Sequence, residues 1–220
     1  MSRALIIGAS GGVGAAIAAE LTRRGDDVTT LSRSLDGFDI TNEASIQAGI
    51  ETISGSFDLI LVASGALANT PRGPEKTIAS LDAEAMAAQF RVNAIGPTLV
   101  LKHCLPLLHK YERTVFAALS ARVGSIGDNA LGGWYSYRAS KAALNQLIKT
   151  ASIEIARKRR HAICVALHPG TVATAFTQNY PHHHKVEPDQ AARNLLSVID
   201  GLTESDTGLF FDWAGKQVPW

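Results

Sequence analysis

The sequence has 220 residues and a formal net charge of +1, and 46% of the residues are hydrophobic while 19% are charged. A chain of this length can bury the core of one domain, so we expect a single domain over residues 1–220. The near-neutral balance, without long runs of one sign, indicates neither disorder nor a nucleic-acid-binding surface, which leaves small-molecule chemistry as the default.

Two cysteines and the first residues bear on the compartment. Cys104 and Cys164 stand in apolar surroundings, which favours buried free thiols over a disulfide framework. The apolar run at 4–7 meets a glycine at once, so we expect neither a signal-peptide core nor a membrane span there. These patterns predict a cytoplasmic protein that does not act at a membrane.

The start of the chain has the order of a phosphate-binding turn. A buried strand predicted over 4–7 precedes a glycine-rich stretch, and a helix predicted over 15–24 follows. Without Cβ atoms at Gly8, Gly12 and Gly14 the backbone can approach a pyrophosphate, and the helix N-terminus offers N–H groups and a positive dipole end. A turn without a ligand is the alternative, but this context favours a dinucleotide site.

The second predicted strand, 27–31, ends in residues that bear on cofactor choice. In dinucleotide-binding folds an acidic residue near this point bonds the ribose 2′-OH of NAD, whereas an arginine accommodates a 2′-phosphate. Here Ser32 supplies a hydroxyl and Arg33 a guanidinium suited to phosphate. We expect NADP(H) to be preferred over NAD(H); the alternative for Arg33 is an ordinary exposed arginine.

The next segment is too short for a crossover helix. A strand-like stretch at 38–40 follows the second strand almost directly. A parallel connection needs a dozen or more residues, so we expect the part of the fold beside the adenine to be shortened. Asp39 either meets an adenine amino group or caps a helix predicted over 42–54, and the sequence does not separate the two interpretations.

A buried strand predicted over 57–63 runs into Ser64 and Gly65. A glycine here lets the chain pass close to a ribose or nicotinamide. A loop at 69–74 separates this strand from a long helix predicted over 81–109.

The long helix carries an irregularity and a polar residue. Gly96 and Pro97 in its middle predict a kink or bulge. Asn93 lies just before them, and an amide in an apolar helical stretch needs a partner, either a local carbonyl or a catalytic water.

The rest of the chain continues the alternation of strands and helices. We predict strands over 114–119, 162–167 and 208–212 and helices that end at about 157 and span 188–199. Together the elements predict an α/β fold with a three-layer, doubly wound parallel sheet.

Tyr137 and Lys141 form the central pair. Four residues apart on a helix, they share one face. A phenol with a pKa of about 10 is a poor acid or base at neutral pH, and a nearby ammonium lowers that pKa. This spacing alone is more often a half-buried aromatic beside a solvated lysine, but the glycine-rich turn upstream favours an acid/base pair.

A basic run and a histidine cluster do not indicate binding sites. The basic run 157–160 suits a solvated helix C-terminus better than a nucleic-acid patch. Adjacent histidines at 182–184 project in different directions, and no carboxylate or cysteine joins them at ligand spacing, so we expect no metal site.

Taken together, these motifs resemble the short-chain dehydrogenase/reductase superfamily of the single-domain type, and within it the C-factor and sniffer-like carbonyl reductases. The resemblance spans essentially the whole chain and rests on the Gly8-x-x-x-Gly12-x-Gly14 turn, Asn93, the loop 124–129, Tyr137 with Lys141, Pro169-Gly170 with Thr174, and the ending 210–220.

The resemblance implies a Rossmann fold and hydride transfer between a nicotinamide cofactor and a carbonyl or alcohol carbon. Tyr137 would protonate the forming alkoxide, Lys141 would lower the tyrosine pKa and hold the nicotinamide ribose, and Asn93 would keep a water in the proton relay. Thr174 would contact the cofactor near its nicotinamide end. The expected cofactor-binding residues are Gly8, Ser10, Gly11, Gly12, Val13, Gly14, Ser32, Arg33, Asp39, Ile40, Ala63, Ser64, Gly65, Tyr137, Lys141, Pro169, Gly170, Val172 and Thr174.

The chain departs from the family pattern in two places. Where relatives have a second serine that orients the substrate carbonyl, this chain has Ala121, and either Ser120 or Ser125 could replace it; we take Ser120 as the catalytic candidate. Missing such a donor can lower turnover about 100- to 1,000-fold. The stretch 62–65 replaces the usual Asn-Asn-Ala-Gly, so bracing of the site must come from Ser64 or elsewhere.

The leading hypothesis is therefore an NADPH-dependent reductase of small carbonyl compounds. The alternative is a cofactor-binding signalling or sensor protein with little turnover, which the alanine at 121 motivates. A sugar-nucleotide epimerase would need a further substrate region for which the chain barely leaves room. The resemblance also implies a homodimer or homotetramer through the long helices around 83–109 and 134–157; the substrate cannot be read from the sequence.

Overall fold

The computed structural model describes residues 2–68, 73–180 and 184–220. Its strands are β1 (Arg3–Ile7), β2 (Asp27–Leu31), β3 (Leu59–Val62), β4 (Thr114–Leu119), β5 (Ala162–His168) and β6 (Phe210–Asp212). They pair in parallel in the order β2-β1-β3-β4-β5-β6 and form one sheet.

Helices cover both faces of this sheet. They are α1 (Gly12–Arg23), α2 (Arg33–Asp36), α3 (Glu43–Glu51), α4 (Ala83–Phe90), α5 (Gly96–Cys104), α6 (Tyr135–Ala156) and α7 (Pro188–Gly201). The predicted α/β, doubly wound Rossmann fold with three layers is confirmed.

The apolar runs in the sequence reflect burial on both sheet faces. All four residues of β3 are buried. Along β1, Ala4 and Ile6 join the core beneath α1 and α7, whereas Leu5 and Ile7 join the core beneath α3, α5 and α6. Continuous hydrophobicity is the expected signature of such a two-sided parallel sheet.

The chain order reverses at β1, which lies between β2 and β3. In open α/β sheets, ligands bind outside the carboxyl ends of the strands at such a switch point. The glycine-rich turn follows β1, and Ser64 and Gly65 follow β3. The fold therefore brings these two segments to the same edge of the sheet.

The predicted long helix over 81–109 is divided. A π-helical turn, Arg91–Ile95, joins α4 to α5 and contains Asn93, so the predicted bulge is confirmed and lies just before Gly96. Because Pro97 has no N–H, the carbonyl of Asn93 four residues earlier has no α-helical donor, which explains the local widening of the helix.

The prediction of a strand-like stretch at 38–40 is wrong. Phe38 is buried against the core, but its N–H donates to the Ser32 carbonyl at 3.1 Å and that of Asp39 donates to Ser45 Oγ at 2.9 Å. The apolar pattern here reflects a buried loop, and α2 occupies part of the connection.

Three further expectations concern the cysteines, a membrane span and the histidine-rich loop. Cys104 and Cys164 are buried free thiols, as predicted. Along the described residues, no helix has the length and apolar character that crossing a membrane requires. His182, His183 and most of the predicted loop at 69–74 lie outside the described residues, as does any metal site they would form.

Candidate active site

The glycine-rich turn forms a cradle at the N-terminus of α1. Gly8 has φ of +88°, which favours glycine, and a Cβ built there would lie 2.7 Å from Ser64 Oγ. Gly11 is the N-cap of α1 in an extended conformation and provides no side-chain hydrogen bond. The first N–H groups of an α-helix have no partner within the helix, so they are available to a ligand. The backbone here is shaped for close approach of a phosphate-bearing ligand.

Two adjoining cavities run along this edge and share Gly11, Ala63, Ser64 and Gly65. We call the one that contains Tyr137 the cleft and the one that contains Arg33 the outer groove. Every residue predicted to bind the cofactor lines one or both. The cleft takes Gly11, Gly12, Val13, Gly14, Ala63, Ser64, Gly65, Tyr137, Lys141, Pro169, Gly170, Val172 and Thr174; the outer groove takes Gly8, Ser10, Gly11, Ser32, Arg33, Asp39, Ile40, Ala63, Ser64 and Gly65.

Ser32, which lines the outer groove, is paired with an acidic residue that its sequence context did not indicate. The Asp36 carboxylate accepts hydrogen bonds from the backbone N–H of Ser32 at 2.8 Å and from its hydroxyl at 3.2 Å. Arg33 begins α2 and is exposed. The hydroxyl expected from Ser32 is thus held by Asp36, while the guanidinium of Arg33 faces solvent beside the groove.

Asp39 does not cap the following helix. Asn42 is the cap of α3, and its side chain accepts from the N–H groups of Ala44 and Ser45. The Asp39 carboxylate instead accepts from the N–H and hydroxyl of Thr41, at 2.9 and 2.7 Å, and these bonds lower its pKa. Of the two interpretations left open, the capping one is wrong, and Asp39 lines the outer groove.

Tyr137 and Lys141 both line the cleft from α6, where both side chains are buried. Lys141 Nζ donates to the Leu119 carbonyl at 2.7 Å. A Cβ built on Gly65 would lie 3.6 Å from this Nζ, which places the ammonium in contact distance of the Gly65 backbone on the cleft wall.

The electrostatics of the pair differ from expectation. Burial raises the pKa of Tyr137 above its ordinary value, whereas burial lowers the pKa of Lys141 to about 7. The expected lowering of the Tyr137 pKa by Lys141 is therefore not found in the protein without a ligand. The phenol therefore stays protonated at neutral pH, the form that can donate, but its raised pKa makes it a weaker acid than free tyrosine.

Asn93 connects three parts of the site. Its Oδ1 accepts from the Ala66 N–H at 2.9 Å, and its Nδ2 donates to the Ala66 carbonyl at 2.8 Å and to Ser140 Oγ at 3.1 Å. Gln89 also donates to the Ala66 carbonyl. The amide therefore braces the segment after β3 against α6. Its carbonyl partner is not the local one expected but Ala66, 27 residues earlier in the chain.

Neither candidate serine presents a free hydroxyl hydrogen to the cleft. Ser120 lines the cleft, but its hydroxyl donates to Asn145 Oδ1 on α6 at 2.6 Å. Ser125 is buried and its oxygen accepts from the Asp128 N–H at 3.1 Å. A hydroxyl has one hydrogen to donate, and in this arrangement that of Ser120 is directed to Asn145; donation by Ser120 to a substrate stays a prediction.

A third cavity, of about 470 Å³, adjoins the cleft on the side of Tyr137. We call it the substrate cavity. Its lining is mostly apolar and aromatic and includes Leu67, Val123, Leu131, Trp134, Phe176 and Tyr180. The Trp134 and Phe176 rings lie 6.1 and 6.2 Å from that of Tyr137. Such a wall favours apolar ligands.

The start of α6 is held from a distant segment. Trp134 adopts φ of +53°, an unfavourable conformation for a bulky residue, and its N–H donates to the Glu75 carbonyl. The Glu75 carboxylate accepts from the N–H of Ser136 at 3.2 Å and from its hydroxyl. Glu75 thus caps the helix that carries Tyr137, a long-range contact without a sequence signal.

His168 also reaches the site and was not predicted. It ends β5 and lines both the cleft and the substrate cavity. Only its position directly before Pro169-Gly170 could have indicated it.

A parallel sheet with a glycine-rich turn after its first strand and a buried tyrosine–lysine pair beside it defines a class of dinucleotide-dependent oxidoreductases. The family model described as enoyl-(acyl carrier protein) reductase matches residues 8–200. The chain belongs to the short-chain dehydrogenase/reductase superfamily, as its motifs predicted.

Three known proteins illustrate the relationship. The 1-hydroxy-2-glutathionyl-2-methyl-3-butene dehydrogenase of Rhodococcus sp. (strain AD45) is 32% identical over 100% of both chains. The C-signal protein of Myxococcus xanthus is 38% identical over 65% of this chain and 83% of its own. The crystal structure of a short-chain dehydrogenase/reductase from Burkholderia multivorans with bound NADP superposes with a TM-score of 0.82 at 25% identity, covering 100% of this chain and 99% of its own.

Proposed function

We propose that this protein is an NADP(H)-dependent oxidoreductase that interconverts a small, mainly apolar carbonyl compound and its alcohol. The observation that carries the proposal is the continuity of three spaces: the outer groove beside Arg33, the cleft beside Lys141, and the substrate cavity beyond Tyr137. A dinucleotide laid along the first two would present its far end to the third.

The residues present fit such a dinucleotide. The glycine cradle and the N-terminus of α1 suit a pyrophosphate, and a Cβ at Gly8 or Gly65 would intrude on Ser64 or approach Lys141. The guanidinium of Arg33 suits a 2′-phosphate, and the NADP bound to the Burkholderia multivorans protein supports this choice. Acceptance of NAD(H) at lower affinity is part of the proposal.

When bound, the cofactor supplies or accepts the hydride. The chain has to hold the reacting groups and move the proton. In reduction, Tyr137 donates its phenolic proton to the carbonyl oxygen as that oxygen gains charge, and burial helps the phenol keep this proton until then. Lys141 would hold the nicotinamide ribose from the cleft wall and, when charged, would stabilise the phenolate that remains. Thr174 would contact the same end of the cofactor.

Asn93 acts by positioning. Its amide bonds both Ala66 and Ser140, so it fixes the position of the segment after β3 relative to the first turns of α6. Its backbone carbonyl, without an α-helical donor, is suited to hold the water that reprotonates Tyr137.

The substrate side favours neutral compounds. The two arginines that line the cavity both use their Nε–H within the protein: Arg122 donates to the Asp128 carboxylate at 2.6 Å and Arg138 donates to the carbonyl of Gly133 at 3.0 Å. Apolar and aromatic side chains supply most of the remaining wall. Because the Rhodococcus relative is named as a dehydrogenase of a hydroxylated compound, both reaction directions belong in the assay.

A second candidate function is a cofactor-binding signalling or sensor protein with little turnover. Ala121 at the position of the expected serine, together with the commitment of the Ser120 hydroxyl to Asn145, favours it. The similarity to the C-signal protein is consistent with this alternative. In both functions a homodimer or homotetramer through the faces of α4, α5 and α6 is proposed.

The two functions are separated by titrating purified protein with NADPH and NADH and then measuring NADPH oxidation against aldehydes, ketones and quinones, and NADP⁺ reduction with alcohols. The oxidoreductase predicts tighter binding of NADPH and clear turnover of at least one apolar substrate. Binding of NADPH without any oxidation, combined with a large gain in rate from Ala121→Ser, would instead support the sensor.

A further inference from the structure

The junction between the cleft and the substrate cavity is where a carbonyl would meet the cofactor. The residues that line both spaces are Ala121, Tyr137, His168, Gly170, Phe176 and Thr177. Three of them have polar side chains, and the hydroxyl of Thr177 is committed, since it donates to the Val172 carbonyl at 2.5 Å. Tyr137 and His168 are left to contact a polar ligand there.

The imidazole of His168 has an unmet hydrogen-bonding group. Its Nδ1 is shielded from solvent and has no hydrogen-bond partner among residues 2–68, 73–180 and 184–220. Its neighbour across the sheet, Asp212, does not bond this nitrogen: Oδ1 of that carboxylate accepts from the N–H groups of Ala214 and Lys216 at 3.0 Å each, and Oδ2 lies 3.9 Å from the Arg122 guanidinium. A buried polar atom left unpaired is costly, and such atoms in native proteins call for an explanation.

The charges around the ring keep it neutral. Burial lowers the pKa of His168 to about 4; Asp212 opposes this shift, while Arg122 and Lys141 add to it. At neutral pH the ring therefore has one N–H donor and one acceptor nitrogen. A neutral N–H can bond a carbonyl oxygen without bringing a second charge into the site.

His168 lines the same junction as Ala121, the position at which relatives have the second serine. Leu119 and Leu167 are register partners on β4 and β5, and the Ser120 N–H donates to the Leu167 carbonyl at 2.7 Å. His168, the last residue of β5, and Ala121, two residues beyond β4, both reach the junction. A donor on β5 can therefore serve an oxygen that a donor on β4 would otherwise serve.

We propose that His168 supplies the hydrogen bond that Ala121 cannot. This role rests on the proposed function. One N–H of the neutral imidazole donates a hydrogen bond to the substrate carbonyl oxygen, and the phenol of Tyr137 donates the other. As hydride adds to the carbonyl carbon, the C=O π pair moves to oxygen and takes the proton of Tyr137. His168 keeps its own proton and strengthens its hydrogen bond as charge develops, which is the behaviour of an oxyanion-hole donor.

The test compares His168→Leu, His168→Asn, Ala121→Ser and the double variant His168→Leu/Ala121→Ser. The matched control is His161→Leu, since His161 lies at the opposite end of β5, is exposed, and pairs with Glu204. For each, kcat and KM for an apolar ketone are measured together with the Kd for NADPH by fluorescence titration, which reports folding and cofactor binding independently of turnover.

We expect His168→Leu to lower kcat about 100- to 1,000-fold, the range for loss of one oxyanion donor, with the Kd for NADPH and the control variant near wild type. His168→Asn, which keeps an N–H donor, should lose less. Adding Ala121→Ser to His168→Leu should restore at least about tenfold, because the serine hydroxyl returns a donor to the same oxygen.

Four outcomes overturn the inference. If wild type turns over its substrate and His168→Leu does so at a similar rate, the inference fails while the proposed function stands. If the rate is lost together with NADPH affinity in both His168 variants, or if Ala121→Ser rescues nothing in a variant that still binds NADPH, His168 has a structural role only. If wild type turns over nothing, the proposed function fails and the inference fails with it.

Discussion

Lys141 Nζ donates to the backbone carbonyl of Leu119 at 2.7 Å, which ties α6 to the end of β4 inside the cleft. The bond positions the ammonium, yet burial still lowers the pKa of this lysine to about 7. One hydrogen bond to a neutral carbonyl does not compensate for the water that the charge has lost.

This depressed pKa has a consequence for stability. Between pH 7 and 10 an unfolded lysine stays protonated while Lys141 in the folded chain does not, so the unfolded state binds more protons and stability should rise with pH. Relative to Lys141→Met, wild type should gain stability from pH 7 to pH 9 in urea unfolding. Comparing the two proteins cancels the other titrating groups, and a constant difference across that range would contradict the predicted shift.

Arg33 should determine the choice between the two nicotinamide cofactors. Removing a charge-assisted contact of about 1.5–3 kcal/mol weakens binding by roughly 10- to 100-fold. We therefore expect Arg33→Ala to raise the Kd for NADPH by this factor and to leave the Kd for NADH nearly unchanged. Arg23→Ala is the control, because Arg23 is a surface arginine paired with Glu20 at 2.6 Å. Equal weakening of both cofactors would show that Arg33 does not contact the 2′-phosphate.

Glu75 should stabilise the start of the helix that carries Tyr137. Its carboxylate accepts two hydrogen bonds from Ser136 in the first turn of α6, so Glu75→Ala should lower the free energy of unfolding by about 1–2 kcal/mol, as loss of an N-cap does. Thermal unfolding without cofactor measures this loss. Glu51→Ala is the comparison, since Glu51 is exposed and accepts from Gln47 within its own helix; equal losses in the two variants would refute the capping role.

Both thiols should be inert in the folded protein. Burial raises the pKa of Cys104 and of Cys164 to about 12, so almost no thiolate forms at pH 8. A disulfide reagent should label neither cysteine in native protein and both after denaturation. Rapid labelling of a native thiol would show that one of them opens to solvent on the timescale of the reaction.

The elements that the sequence predicted are those whose signal is local. The β1 strand, the glycine turn and α1 are adjacent in the chain, and Tyr137 and Lys141 share one helix turn, so spacing alone indicates them. The bulge at Asn93 followed from Pro97, whose missing N–H is a property of the residue itself.

What the sequence could not predict depends on contacts across the fold. The Asn145 amide that takes the Ser120 hydrogen lies on α6, and Glu75 reaches Ser136 from a separate segment. The sign of the Tyr137 pKa shift was also missed, because burial acts through the whole surroundings of the ring rather than through Lys141 alone.

The most direct test of the central claim is transfer of deuterium from NADPH labelled at C4 to the product of an apolar ketone, followed by mass spectrometry. Wild type and Tyr135→Phe, an aromatic neighbour in the first turn of α6, should both give deuterated alcohol. Tyr137→Phe should bind NADPH with similar affinity but form product at least about 100-fold more slowly, the lower bound for loss of a general acid. Undiminished deuterium transfer by Tyr137→Phe would contradict the account.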